Sequence, residues 1–135
     1  MTDHRRVRER ARGRCEYCRI HEDDAGFRDE VDHVIAEKHG GATELGNLAL
    51  TCFPCNSNKG SDVASLAIDG TITRLYNPRT DDWRQHFTIF SDRILPRTDI
   101  GEATERIIAF NTPDRCEERR GLQMLNRYPT DKHYY

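Results

Sequence analysis

The chain has 135 residues, of which 36% are hydrophobic and 33% are charged, and its formal net charge is −2. This length suits about one domain with one modest core, and the composition excludes a disordered chain. No stretch approaches the roughly 20 apolar residues of a membrane span. Because the arginine-rich start also lacks the apolar segment of a signal peptide, we expect a cytoplasmic protein.

The first 14 residues are basic although the whole chain is not. They hold six arginines and two acidic residues, a net charge of +4, and the remaining residues carry −6. If a nucleic acid is bound, we expect a local contact through this segment, because its phosphates attract clustered arginines. The alternative is that the run, which falls within a predicted helix over residues 4–12, is only a solvated helix face.

After this helix, the order of the predicted elements is strand, strand, helix. Period-two alternation and turn residues predict a strand at Phe27–Ile35, a loop at Glu37–Gly46, a strand at Leu48–Thr51 and a short helix at Phe53–Lys59. In the first strand, Asp32 and His33 point to opposite faces. Both can serve one site only if the strand end twists or a metal lies at the strand edge.

The second part of the chain has a weaker pattern. Short strands are predicted at Thr71–Tyr76 and Phe87–Phe90, a capping box at Asp99–Glu102, and a last helix that starts at Thr112-Pro113. We therefore expect a core with an N-terminal basic helix over residues 1–62. Residues 63–135 are expected to form a C-terminal extension of strands and then two helices, packed on the core.

Four of the five cysteines form two Cys-x-x-Cys pairs, Cys15 with Cys18 and Cys52 with Cys55. In a reducing compartment this spacing indicates a metal sooner than disulfides. Zinc takes four thiolates in a tetrahedron, which leaves no open position for water. We predict a structural zinc site, with a hairpin folded between the two pairs, and we expect Cys116 in the core.

The residues between and just after the pairs suit the cleavage of a phosphodiester bond. Hydrolysis needs a base that takes a proton from water, a divalent cation, and a group that sets the tautomer of the base. His33 is the candidate base, because histidine titrates near neutrality. Asp32 and Asn56 offer hard oxygens for Mg²⁺ or Mn²⁺. Asn56 directly follows the last cysteine, so zinc could hold it rigidly against the strand of Asp32.

The combined pattern resembles the HNH endonuclease family with its ββα-metal fold. The resemblance covers about residues 5–62 and is carried by Cys15-x-x-Cys18, Asp32-His33, Gly40-Gly41, Asn47-Leu48 and Cys52-x-x-Cys55-Asn56-x-x-Lys59. It implies that His33 is the general base and that Asp32 and Asn56 bind the catalytic metal. It further implies that Asn47 tethers the loop and that Lys59 contacts phosphate.

With this resemblance, the predicted fold is α+β, with a ββα-metal core, a structural zinc site and a small α/β extension similar to that of small standalone bacterial HNH proteins. The predicted function is metal-dependent cleavage of DNA. Besides Lys59, the candidate nucleic-acid contacts are Arg12, Arg14, Lys38 and His39. A double-strand cutter with one site would call for a homodimer or two visits.

Two alternatives stay open at the level of sequence. The first is a zinc-stabilised nucleic-acid-binding module without catalytic activity. The second is a purely structural zinc protein, which ranks last because such a protein would not require a basic segment.

Overall fold

The structure is a computed structural model that describes residues 3–130. These residues form two compact units, one of residues 3–63 with 77–81 and one of residues 64–76 with 82–130. The segment 77–81, predicted as part of the extension, thus contacts the first unit. Residues 1–2 of the predicted core and residues 131–135 of the predicted extension lie outside the described residues.

The first unit contains two helices and one antiparallel hairpin. Its elements are α1 (Asp3–Ala11), β1 (Glu30–His33), β2 (Leu48–Thr51) and α2 (Phe53–Lys59). In the hairpin, Glu30 pairs with Thr51 and His33 pairs with Leu48. The unit therefore has the predicted strand, strand, helix order after its N-terminal helix, and the predicted α+β class is confirmed.

The core of the first unit lies between α1 and β2. Val7 of α1 packs with Leu48 and Leu50 of β2, and all three side chains are buried. Ala11 lies one turn after Val7, on the same helix face, and packs against the same cluster. The arginine-rich helix thus packs on the hairpin through one apolar face.

Strand β1 is shorter than the predicted Phe27–Ile35 at both ends, because its pairing with β2 begins at Glu30 and ends at His33. Beyond this residue, the Val34 N–H donates to the backbone oxygen of Asn47 (2.8 Å), and the Ile35 N–H donates to the Asn47 side chain (2.9 Å). The Asn47 side chain thus accepts the hydrogen bond that the neighbouring strand would accept if β1 continued. The chain can therefore leave the hairpin at His33 without unpaired backbone groups.

The second unit contains two further hairpins and three helices. They are β3 (Ala64–Leu66) with β4 (Ile72–Arg74), β5 (Phe87–Phe90) with β6 (Arg93–Pro96), α3 (Trp83–His86), α4 (Asp99–Ile108) and α5 (Pro113–Met124). Helix α5 starts at Pro113, as predicted. The cap of α4 is Thr98 and not Asp99, because the Thr98 hydroxyl accepts the N–H of Gly101 (3.1 Å). Cys116 is buried in α5.

None of the helices in residues 3–130 has the length and apolar character that a membrane span requires.

Candidate active site and metal centre

The four paired cysteines converge in space, although Cys18 and Cys52 are 34 positions apart in the chain. All four are buried, and their sulfur atoms lie within 4.8 Å of one another, with 3.6 Å between Cys18 Sγ and Cys52 Sγ. Four sulfurs bound about 2.3 Å from a tetrahedral zinc ion lie about 3.8 Å apart. The cluster therefore fits a zinc ion.

Crowding of the four thiols affects their protonation. Hydrogen bonds from the other thiols, that of Cys15 first, raise the pKa of Cys52, and burial raises the pKa of Cys55. Without a cation the thiols keep their protons, because four adjacent thiolates would repel one another. With four sulfur ligands a zinc ion has no position left for water, so the cluster suits a structural ion.

The first cysteine pair is attached to β2 through Glu16. The Glu16 N–H donates to the Leu50 carbonyl (2.8 Å), and Glu16 Oε2 accepts the Leu50 N–H (2.9 Å). Glu16 Oε1 pairs with the guanidinium of Arg79, from the segment 77–81. Burial raises the pKa of Glu16, and the Leu50 hydrogen bond opposes this. The turn between Cys15 and Cys18 is thus held against the middle of the hairpin.

The second cysteine pair starts α2 and leads directly to Asn56. Cys52 is the residue before the helix, Cys55 lies in its first turn, and the Asn56 N–H donates to the Cys52 carbonyl (2.9 Å). Asn56 is therefore placed by the same helical turn that presents two of the sulfurs.

A cavity of about 570 Å³ brings the three predicted catalytic-site residues together. Asp32 and His33 line it from the end of β1, and Asn56 and Ser57 line it from α2. Its other lining residues are Ala36, Glu37, Gly60 and Ser61. Neighbours within a strand point to opposite faces, but β1 ends at His33, so Asp32 and His33 both reach the cavity at the strand edge.

His33 is held at one of its two ring nitrogens. His33 Nε2 lies 2.8 Å from Thr43 Oγ1 and 3.4 Å from Glu37 Oε1. The Thr43 hydroxyl lies 3.1 Å from the same Glu37 oxygen and donates to it. His33 Nδ1 makes no hydrogen bond to any residue in the range 3–130.

Asn47 closes the loop that carries Glu37 and Thr43. Its Oδ1 accepts the Ile35 N–H, and its Nδ2 donates to the carbonyls of Ile35 and Ala42, each across 2.9 Å. A Cβ at Gly41 would collide with the Ile35 carbonyl oxygen, so the close approach that these bonds require depends on glycine.

The region with this geometry also matches a known family. Residues 15–62 match the family model described as HNH endonuclease. Over this range the chain is similar to HNH endonucleases, and residues 15–62 are called the HNH domain below. The matched range holds both cysteine pairs, all the residues that line the cavity, and Asn47. Further comparisons of the chain with curated proteins and with solved structures found no match.

Three of the predicted nucleic-acid contacts are exposed in or beside the HNH domain. Arg12 directly follows α1, and Lys38 and His39 directly follow Glu37 of the cavity. His39 Nε2 lies 3.1 Å from the carbonyl oxygen of Ser61, which lines the cavity. Neither Arg12 nor Lys38 forms a side-chain hydrogen bond or ion pair with another residue of the described range. Both cations are therefore available to a phosphate.

The placement of Lys59 contradicts its predicted contact with phosphate. Only 5% of Lys59 is exposed, and its Nζ donates to the Val34 carbonyl (2.9 Å). Burial lowers the pKa of Lys59, and the charges of Asp32 and Asp62 oppose this effect. Lys59 thus joins α2 to the end of β1 inside the HNH domain.

Arg14 and two other N-terminal arginines also serve the domain's own backbone. Arg14 donates to the Arg19 carbonyl (2.8 Å), Arg8 to that of Asp29 (2.8 Å), and Arg10 to those of Leu45 (2.8 Å) and Leu48 (2.6 Å). Arg14 is half-buried, and its predicted nucleic-acid contact stays a prediction. Part of the basic segment therefore stabilises the fold through hydrogen bonds to backbone carbonyls.

Nothing in the sequence marks Glu37 and Thr43 as neighbours of His33. Glu37 lies four residues after His33, and Thr43 lies six residues after Glu37. In a predicted loop, neither spacing indicates that the side chains are close in space. The two residues reach His33 because the loop folds back on Asn47.

Proposed function

We propose that the protein is an endonuclease that hydrolyses phosphodiester bonds in DNA with one divalent cation. His33 is the general base, and Asp32 and Asn56 are the cation ligands. The observation that carries the proposal is the cavity that Asp32, His33 and Asn56 share within the HNH domain.

The donor set of the cavity suits Mg²⁺ or Mn²⁺. Asp32 offers a carboxylate oxygen and Asn56 an amide oxygen, and these hard ions keep several waters and need few protein ligands. A cation held by the two residues would supply positive charge beside the phosphate oxygens and the leaving oxygen.

The remaining steps belong to the side chains of this chain. His33 takes a proton from a water in the cavity, and the oxygen of this water forms a bond to phosphorus. The bond between phosphorus and the 3′ oxygen breaks, and its electron pair goes to that oxygen, which takes a proton from solvent. The products are a 5′ phosphate and a 3′ hydroxyl, as the family resemblance implies. Arg12, Lys38 and His39 bind the phosphates on either side.

In this proposal, zinc has a separate role from the catalytic cation. Cys15, Cys18, Cys52 and Cys55 bind zinc and fix the start of α2, and thereby fix Asn56 against the end of β1. A homodimer, which a double-strand cutter with one site would call for unless it visits the DNA twice, stays a prediction.

The test is cleavage of plasmid DNA by zinc-loaded protein with Mg²⁺, Mn²⁺ or EDTA. We expect nicking that depends on the divalent cation, is lost in His33→Ala and Asp32→Ala, and persists in His4→Ala. His4 is an exposed histidine of α1 and serves as the matched control. Cleavage that persists in His33→Ala would refute the role of His33.

The alternative function is nucleic-acid binding without cleavage, which the exposed side chains of Arg12 and Lys38 also permit. Folded, metal-loaded protein that binds DNA but cuts neither DNA nor RNA would favour this alternative over the nuclease.

A further inference from the structure

We infer that Thr43 and Glu37 are positioning residues for His33: they hold the imidazole in the tautomer that carries its proton on Nε2. The lone pair of Nδ1 is then the one that accepts a proton from water. This inference rests on the proposed function, and it adds to it the reacting atom and the two residues that select it.

The assignment follows from the donors and acceptors available at this contact. A carboxylate can only accept hydrogen bonds, so the hydroxyl hydrogen of Thr43 points to Glu37 Oε1, 3.1 Å away. The hydroxyl oxygen then has only lone pairs to offer to His33 Nε2, 2.8 Å away. With Thr43 donating to Glu37, Nε2 is the protonated nitrogen of the neutral ring, and Nδ1 carries the free lone pair.

The same arrangement suits the ring after it has gained a proton. Imidazolium donates from both nitrogens, so the bond from Nε2 to Thr43 persists when Nδ1 becomes protonated. Glu37 Oε1 lies 3.4 Å from Nε2 and places a negative charge beside the new positive one. Because the Glu37 side chain is 70% exposed, water screens this attraction, and we assign the larger effect to the tautomer.

The loop geometry explains why these two side chains meet His33. Glu37 begins the short helical turn Glu37–His39 immediately beyond the hairpin. Asn47 Nδ2 donates to the carbonyl of Ala42, the residue before Thr43. The backbone positions of Glu37 and Thr43 are thus both fixed by hydrogen bonds. The Thr43 hydroxyl therefore lies beside His33 at the end of the strand.

The sharpest test compares Thr43→Val with Thr43→Ser in the full-length, zinc-loaded protein. Valine has nearly the shape of threonine without the hydroxyl, and serine keeps the hydroxyl. The imidazole ¹⁵N chemical shifts of His33 in its neutral form report which nitrogen is protonated. We expect the Nε2-protonated form in native protein and in Thr43→Ser, and a shift towards the Nδ1-protonated form in Thr43→Val.

Cleavage kinetics give a second measurement. We expect Thr43→Val to lower kcat about tenfold with little change in KM, because a wrongly placed proton blocks the base and leaves substrate binding intact. Glu37→Gln should also lower kcat, whereas Glu44→Gln, an exposed neighbour in the same loop, should not. Thr43 is itself exposed, so circular dichroism should show that its variants are folded.

Two outcomes separate the inference from the proposed function. Native protein with the proton on Nδ1, or Thr43→Val with unchanged ring shifts and unchanged kcat, would overturn the inference and leave the nuclease in place. Native protein with the proton on Nε2 that cuts no DNA would overturn the proposed function and support the assignment of the contact.

Discussion

Lys59 Nζ donates a hydrogen bond to the carbonyl oxygen of Val34 across 2.9 Å, and so joins α2 to the residue that follows β1. Among the nearby charges, that of Asp32 contributes most to favouring the ammonium form of Lys59. A buried lysine therefore connects β1 and α2, the two elements that line the candidate active site. The exposed lysine of the same domain, Lys38, lies beside the cavity instead.

These two lysines should behave oppositely when changed to alanine. Lys59→Ala leaves the Val34 carbonyl without its partner, and we expect it to lower the free energy of unfolding by about 2 kcal/mol. Lys38→Ala should leave stability unchanged but weaken DNA binding and reduce its salt dependence. Thermal unfolding and binding titrations at several salt concentrations separate the two effects. Equal stability of the two variants would contradict the role of Lys59.

The zinc site predicts a contrast between two buried cysteines. Cys15→Ser removes a ligand from the four-sulfur cluster, and we expect loss of zinc and of the folded first unit, because structural zinc contributes folding free energy. Cys116→Ser, in α5, should keep the zinc and lose only about 1 kcal/mol. Elemental analysis of zinc and circular dichroism test this. A folded, zinc-free Cys15→Ser protein would refute the structural role of zinc, and native protein that holds no zinc would refute the metal centre.

Asn47 predicts a sensitive position in the loop. Asn47→Asp turns the amide that donates to Ile35 and Ala42 into a carboxylate, which meets both carbonyl oxygens with negative charge. We expect a loss of about 2 kcal/mol in stability and faster hydrogen exchange in the loop. Asn126→Asp makes the same change at an exposed position and should have little effect. Unaltered exchange in Asn47→Asp would show that the loop does not depend on this side chain.

Asp29 predicts a pH dependence of stability. It is 1% exposed, and neither carboxylate oxygen has a hydrogen-bond partner among residues 3–130. Burial, with smaller contributions from Cys18 and Glu22, raises its pKa from 3.8 to about 7. Between these pH values the unfolded state binds fewer protons than the folded state, so stability is full below pH 3.8 and is lost as pH rises towards 7.

Asp29→Asn removes this titration. One pKa unit corresponds to about 1.4 kcal/mol, so the variant should gain about 3 kcal/mol relative to native protein between about pH 5 and pH 8. Denaturant unfolding across this range gives the measurement. Asp69→Asn is the control, because hydrogen bonds from Thr71 lower the pKa of Asp69 and should give an offset that does not change over this range. A constant difference for Asp29→Asn would contradict the raised pKa.

The hairpin and its helix could be predicted from the chain because their signals are local. Helix α2 has the predicted bounds, since Cys52 and Pro54 mark its start and Gly60 marks its end. The predicted strand Phe27–Ile35 is longer than β1, because its alternating pattern extends at both ends beyond the residues from Glu30 to His33 that pair with β2. Where a strand ends depends on its partner and on the bonds of Asn47, and alternation within one segment reports neither.

The sequence by itself determined the identity and spacing of the groups that can hold metals or react. These are the two cysteine pairs, Asp32-His33, Asn47 and Asn56, whose chemistry belongs to the residue types. Only the tertiary structure decided that Lys59 and Arg14 bind backbone carbonyls and that Thr43 and Glu37 meet His33. The physical reason is that a cationic side chain or a hydroxyl donates its hydrogen bond to an acceptor that lies nearby in the folded chain and has no other donor. That partner is set by contacts between residues distant in the chain.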